Sequence, residues 1–301
     1  MTSPVALIDA DLTLRSFFDA WEFYRMPALT GAAAGGLLGV LGVYVVLRRL
    51  VFLSAAVSQA AGLGVALAFL LQVQLGLSAS VASPTLGAAI FTIAVTFLVA
   101  SDRGGGTLRR DSLLGFAYLV GAAGMLAVAK HIRQELHDIS SLLFGSAVAV
   151  LPDDFHVVVW MTAVLLVVHL LGWRGFGAVS FDKAGAKVRG MPVRLLEIVL
   201  FVTLALAISV ATRVIGALPT FAFSVLPAMA AVRVSPNVQV SLVVAGLVGA
   251  ATGFAGYLAA YMWRLPVGTS QTLIASGVVV VVEVAWWITR LARRGSTRAT
   301  A

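Results

Sequence analysis

Three clusters of side chains in this 301-residue chain carry ligating or ionisable groups. The first is a polar patch inside an apolar stretch. In LRRLVFLSAAVSQAAGLG (47–64), Ser54, Ser58 and Gln59 follow the charged border Arg48–Arg49 by one to three helical turns. They offer neutral oxygens and one amide N–H, and nothing in the patch ionises. Such a set can cross-link neighbouring helices or lend weak donors to a passing ion. Neutral oxygens hold a divalent transition metal far less tightly than carboxylate and imidazole do. The second cluster is KHIRQELHDISS (130–141), with His131, Glu135, His137 and Asp138, joined by Asp153, Asp154 and His156 of LPDDFH (151–156). His131 and Glu135 are four apart and share a helical face. Two readings stand: a metal-attracting vestibule or docking rim, or an ordinary polar loop, because two ligands on a loop do not define a metal site. The third is a set of isolated groups in apolar runs, where ionisable residues are expensive. His169 reads as satisfied by a neighbouring helix. Glu197 reads as the partner of Arg194, three residues before it. Glu283, deeper in the last run, is either a buried, paired carboxylate or a group linked to ion passage.

The elements that position these residues follow from composition. Sixty per cent of the chain is apolar and 11% is charged, and the mean hydropathy is +1.00. A soluble domain is about 45–50% apolar and about 25% charged, so this chain's solvent is mostly lipid. Apolar runs long enough to span occur at about 27–47, 51–72, 84–101, 111–129, 155–172, 193–215, 217–233, 238–260 and 269–289. The expected fold is an all-α polytopic membrane protein with about eight or nine transmembrane helices. Pro219 and Pro227 predict a broken or re-entrant helix, tolerated at membrane depth only where protein or a water-filled path surrounds it. Gly31, Gly35 and Gly39, and Gly246, Gly249, Gly253 and Gly256, place small residues on single helical faces for close packing.

The net charge of +8 does not point to nucleic acid, because the cations lie between apolar runs. Putting Arg48 and Arg49 in the cytoplasm and alternating from there collects most cations on that side, including Arg290, Arg293, Arg294 and Arg298. The positive-inside rule then gives a cytoplasmic C-terminus. Nine spans would leave the N-terminus outside, and a re-entrant segment, or a further span at 137–150, would reverse it. Three parts are expected: an amphipathic segment (1–25) with Leu14, Phe17, Phe18 and Trp21 on its apolar face, a transmembrane domain (26–290), and a basic tail (291–301). Cysteine is absent, which removes disulfides and thiolate ligands.

One connection stands apart. WRGFGAVSFDKAGAKVRGMPVR (173–194) is basic and reads as a short helix over about 179–191. Ser180 is the expected N-cap and Asp182 lies in the first turn. Lys187 and Arg189 sit near its end, and Gly190 and Pro192 stop it. It is either a solvated connector or a docking element for a soluble partner. Motifs for hydrolytic chemistry are missing: GGGTLRR (104–110) lacks the spacing of a phosphate loop, and no HExxH or GxSxG occurs. No enzymatic activity is expected.

Six segments in order, GLLGVLGVYVVLRR (36–49), AAVSQAAGLGVAL (55–67), SSLLFGSAVAV (140–150), SFDKAGAKVRGM (180–191), VIGALPTFAFSVLPAMAA (214–231) and GYLAAYMWRLPVG (256–268), resemble the permease subunits of bacterial zinc- and manganese-type ABC importers. The resemblance implies a homodimer in the bacterial cytoplasmic (inner) membrane, with the pathway between subunits. It also implies cytoplasmic ATPase subunits that consume ATP, an extracytoplasmic substrate-binding protein, and no cofactor in the permease itself. Within SFDKAGAKVRGM, residues Ser180, Phe181, Asp182, Lys183, Lys187, Arg189 and Gly190 would form the helix that seats in the ATPase. Family members read like FLGDALSHA where this chain has FLSAAVSQA (52–60), so Ala55 and Gln59 stand where the family has Asp and His. That departure opens three outcomes: a pathway without a tight metal site, ligands from elsewhere such as Glu283, or a different or non-metal cargo. A secondary transporter driven by an ion gradient is the alternative; it would want intramembrane carboxylates and an inverted repeat, and only Glu283 lies deep. A non-transporting scaffold is a third reading, and it would not need a capped basic helix.

Overall fold

The computed structural model describes residues 13–78, 81–101, 107–131 and 150–299. The described residues contain helices and no strand: α1 (Leu14–Asp19), α2 (Trp21–Leu47), α3 (Val51–Leu75), α4 (Pro84–Ser101), α5 (Thr107–Ala129), α6 (Pro152–Phe181), α7 (Lys183–Val188), α8 (Val193–Ile215), α9 (Ala217–Phe223), α10 (Leu226–Val234), α11 (Val238–Trp263) and α12 (Val267–Ala299). Every apolar run of the sequence is helical, the run at 217–233 as two short helices. Eight segments are long and apolar enough to cross a membrane, and Pro84–Val99 is a shorter apolar helix. With large side chains such as Trp160, Leu170 and Leu171 exposed along the outer faces, this is an all-α polytopic membrane protein.

The glycine faces pack on one another. α2 lays Gly31 and Gly35 against Gly253 and Gly249 of α11, and Gly39 against Ala245, in antiparallel register. A Cβ on Gly35 or Gly249 would run into the carbonyl of the other. Gly246 instead meets Val40, and Gly256 backs onto Gln271 of α12. Gln271 is wholly buried, and its amide donates to the Gly253 carbonyl at 3.1 Å. α6 and α8 run antiparallel, since Asp154 near the start of α6 meets Arg213 near the end of α8.

The broken helix lies where the prolines predict it. Gly216 adopts φ +90°, a conformation costly to any residue with a Cβ, and separates α8 from α9. Ser224 and Val225 separate α9 from α10, and Pro227 enters α10 within its first turn, where its missing N–H is not needed.

The N-terminal segment departs from expectation. α1 is only six residues long, capped by Thr13, and the long α2 already begins at Trp21. Phe17 does not face lipid: it is fully buried among Trp21, Tyr24, Phe254, Tyr257 and Tyr261. Leu14 and Phe18 do remain exposed. The aromatic side chains of α11 compete successfully for Phe17, a contact that helical periodicity within 1–25 does not reveal. At the other end of the chain, α12 continues as helix to Ala299.

Candidate functional site

The polar patch of α3 sits against the broken helix. Ser54 and Ser58 are fully buried. The Ser54 hydroxyl is in contact with that of Ser224, at the α9–α10 break. Ser224 donates its proton to the Phe221 carbonyl at 2.7 Å, so Ser54 is the donor between the two hydroxyls. Ser58 donates back to the Ser54 carbonyl at 2.9 Å. On the far side of the break, the Ser224 carbonyl lies so close to Gly42 of α2 that a Cβ there would collide with it. The irregular backbone at 224–225 is thus enclosed by protein on α2 and α3, the condition for non-helical chain at membrane depth. Ala55 is buried on the same helix. Gln59 packs with its backbone against Gly121 of α5, and its side-chain oxygen is buried without a hydrogen-bond partner among the described residues.

A second polar assembly surrounds Arg48, just past the end of α2. Its Nε donates to the Ser180 hydroxyl at 3.0 Å and its Nη1 to Glu197 Oε1 at 3.3 Å. The other oxygen, Glu197 Oε2, takes Lys183 Nζ at 2.6 Å. Burial pushes the Arg48 guanidinium below its ordinary pKa, and Glu197 opposes that shift. The carboxylate therefore bridges α2 and α7, and the local pair with Arg194 gives way to these two cations. The short helix itself differs from expectation. α6 runs on through Phe181, so Ser180 lies inside it and donates to the Phe176 carbonyl. The N-cap of α7 is Asp182, which accepts from the Gly185 N–H at 2.9 Å. Asp182 wins because the chain is extended there (φ −141°, ψ 89°), which breaks α6 and frees the N–H groups of the next turn. α7 then spans only Lys183–Val188, with Lys187 in its last turn, Arg189 returning Nε to the Gly185 carbonyl, and Gly190 at φ +74°. Ala186 is its buried anchor, whereas Phe181 and Val188 are 65% and 88% exposed.

At the opposite end of α6 and α8, Asp154 binds Arg213 at 2.7 Å, and Arg213 also contacts the Thr85 hydroxyl. His131 and His156 each turn Nδ1 to a carbonyl one turn back, Ala127 and Pro152 respectively. Asp153 is exposed. Glu135, His137 and Asp138 lie outside the described residues. Among the described residues no three His, Asp or Glu side chains gather as a metal site. His169 is buried and bonds Thr203 Oγ1 of the neighbouring helix α8 at 2.9 Å through Nε2, whereas its Nδ1 is buried without a hydrogen-bond partner among the described residues, so the expected satisfaction is half met. Glu283 is paired but not buried: its side chain is 42% exposed and binds Arg233 at 2.5 Å, while Arg233 stacks over Trp286 at 3.8 Å. It joins α10 to α12 and does not reach the α3 patch.

A model of the ABC 3 transport family matches residues 20–285. The chain belongs to that family. This family member is similar over most of its length to characterised and uncharacterised relatives. An uncharacterised membrane protein of Cyanophora paradoxa is 25% identical over 263 residues, covering 87% of this chain and 85% of the relative. The manganese transport system membrane protein MntC of Halalkalibacterium halodurans is 25% identical over 266 residues, covering 87% and 88%. The fold is that of PsaBC from Streptococcus pneumoniae, solved with a Fab (TM-score 0.78, 23% identity, covering 90% of this chain and 95% of that one).

Ser224 and Arg48 carry both assemblies, and neither is singled out by spacing alone. The signal for Ser224 is a hydroxyl between Pro219 and Pro227. For Arg48 it is a cation at the border of the polar patch.

Proposed function

We propose that this ABC 3 family member is the membrane-spanning permease subunit of an ATP-driven importer for a divalent transition metal, Mn²⁺ or Zn²⁺. The observation that carries the reading is the family match over 20–285, with manganese transport proteins among the full-length relatives. Two copies line the pathway between them in the bacterial inner membrane, with the C-terminus and α7 in the cytoplasm. ATP is hydrolysed by separate ATPase subunits that grip α7, and an extracytoplasmic protein delivers the cargo. The exposed Phe181, at the end of α6, and Val188, on the capped helix α7, suit such docking. The enclosed break at Ser224–Val225 suits a bundle that rocks between two states. The neutral oxygens of Ser54, Ser58 and Gln59 suit an ion held lightly in passage. In this orientation α1 lies at the outer surface and the arginines after Arg290 lie in the cytoplasm.

The test is uptake by the permease reconstituted with its ATPase and binding protein, across a panel of divalent ions. ATP-dependent uptake of Mn²⁺ or Zn²⁺ is expected. Uptake driven by an ion gradient without the ATPase overturns the reading. Comparison with Ala55→Asp plus Gln59→His addresses cargo: if only that variant carries Mn²⁺ or Zn²⁺, the natural cargo is another species.

A further inference from the structure

We propose that Glu197 is a positioning residue that carries displacement of α7 to the α2–α3 turn, and through it to the break at Ser224. This rests on the reading of α7 as the ATPase-docking helix. α7 is six residues long with one buried side chain, Ala186. A helix that short has little hold on the bundle through packing, and a push on it would be absorbed by Asp182 and Gly190 at its ends unless something else resists. The Glu197 carboxylate supplies that resistance. One oxygen holds Lys183, the first residue of α7, at 2.6 Å; the other holds Arg48 at 3.3 Å. Arg48 also holds Ser180, three residues ahead of α7, so the element is gripped on both sides of its N-cap. The Arg48 side chain is 9% exposed, which leaves its pair weakly screened by salt.

Beyond Arg48 there is no slack. Arg49 adopts φ +56°, the Leu50 N–H closes on the Val45 carbonyl at 2.8 Å, and α3 starts at Val51. Ser54, the fourth residue of α3, bonds Leu50 through its N–H and Ser224 through its hydroxyl. A movement of α7 is thereby delivered within two turns of chain to the break between α9 and α10. Coupling carried by side-chain networks of this kind is worth about 0.5–2 kcal/mol, or roughly 2- to 30-fold.

The experiment uses the whole transporter in proteoliposomes and reads three quantities together: ATPase retained on the purified permease, ATP hydrolysed, and metal taken up. Glu197→Gln is expected to retain the ATPase and to lower uptake per ATP by about fivefold. Arg48→Gln should lower it similarly, and the double variant no further, because both remove one link. Unchanged uptake per ATP in Glu197→Gln overturns the proposal, as does a double variant whose loss is the product of the two. If Glu197→Gln does not assemble, Glu197→Asp carries the test: its carboxylate is one methylene short of spanning both cations, and normal uptake per ATP would overturn the proposal equally. Failure of the docking reading shows separately, as undiminished ATPase retention by Asp182→Lys plus Lys187→Glu.

Discussion

The α2–α11 seam and the joint between α3 and the broken helix meet at α2, where Gly42 continues the glycine face onto Ser224, yet they are held by opposite means. The seam is backbone against backbone, with glycines interlocked and no group able to rearrange. The joint is three serines and an interrupted helix, with each hydroxyl proton assigned to one acceptor. The difference teaches where the bundle can move. Close-packed backbone has one arrangement, whereas hydroxyls bridging two helix ends can exchange partners as those ends shift.

The comparison breaks most readily at the seam. Gly249→Leu should cost about 3 kcal/mol or more, because neither carbonyl can retreat from the new side chain. Loss of monodisperse protein in detergent, or a sharply lowered unfolding temperature, is the expected result, and a folded, stable Gly249→Leu protein would deny that the seam is locked. The joint should respond less and unequally. Ser224→Ala leaves the buried Ser54 hydroxyl without an acceptor and should cost about 1–3 kcal/mol, whereas Ser54→Ala removes the donor itself and should cost about 1 kcal/mol. Denaturant titration of both variants checks that order, and the reverse order would reassign the proton. A smaller change is expected at Arg213. Asp154→Asn removes a partly exposed ion pair worth about 1 kcal/mol or less, and raising the salt concentration should shrink the difference from wild type. The smallest effect sharpens the contrast between glycines: a methyl group at Gly277 of α12 would meet nothing within 4 Å. Gly277→Ala should leave the unfolding temperature unchanged or raise stability by about 0.5–1 kcal/mol.

Part of the seam was legible in the sequence, because spacing of three and four residues places Gly31, Gly35 and Gly39 on one face of their helix and Gly246, Gly249, Gly253 and Gly256 on one face of theirs; that Gly31, Gly35 and Gly39 meet Gly253, Gly249 and Ala245 was not. An interruption near Pro219 and Pro227 was legible because proline disfavours continuous helix, although the breaks themselves fall at Gly216 and at Ser224–Val225. Side-chain partners across the bundle were not. Glu197 reads as a mate for Arg194 when only its own helix is considered. Its actual partners come from α2 and from the start of α7, 149 residues before it in the case of Arg48. Ser180 is a reasonable cap by type, but α6 runs through it and moves the cap to Asp182. Glu283 reads as either a buried, paired carboxylate or a group linked to ion passage because its run is apolar; the pairing is found, the burial is not. α12 turns that side outward, a matter of how the bundle packs and beyond the reach of hydropathy.

The thirty residues of α6 have a last consequence. At about 1.5 Å per residue the helix reaches about 45 Å, against a hydrocarbon slab of about 30 Å, and a tilt of about 20° removes only a few ångströms of that excess. In the proposed orientation, surplus length at this end would carry Asp182 and α7 clear of the lipid tails. Deleting a single turn from α6 would sink α7 toward the headgroups with all of its own residues intact, so reach, as much as surface chemistry, sets what α7 can meet.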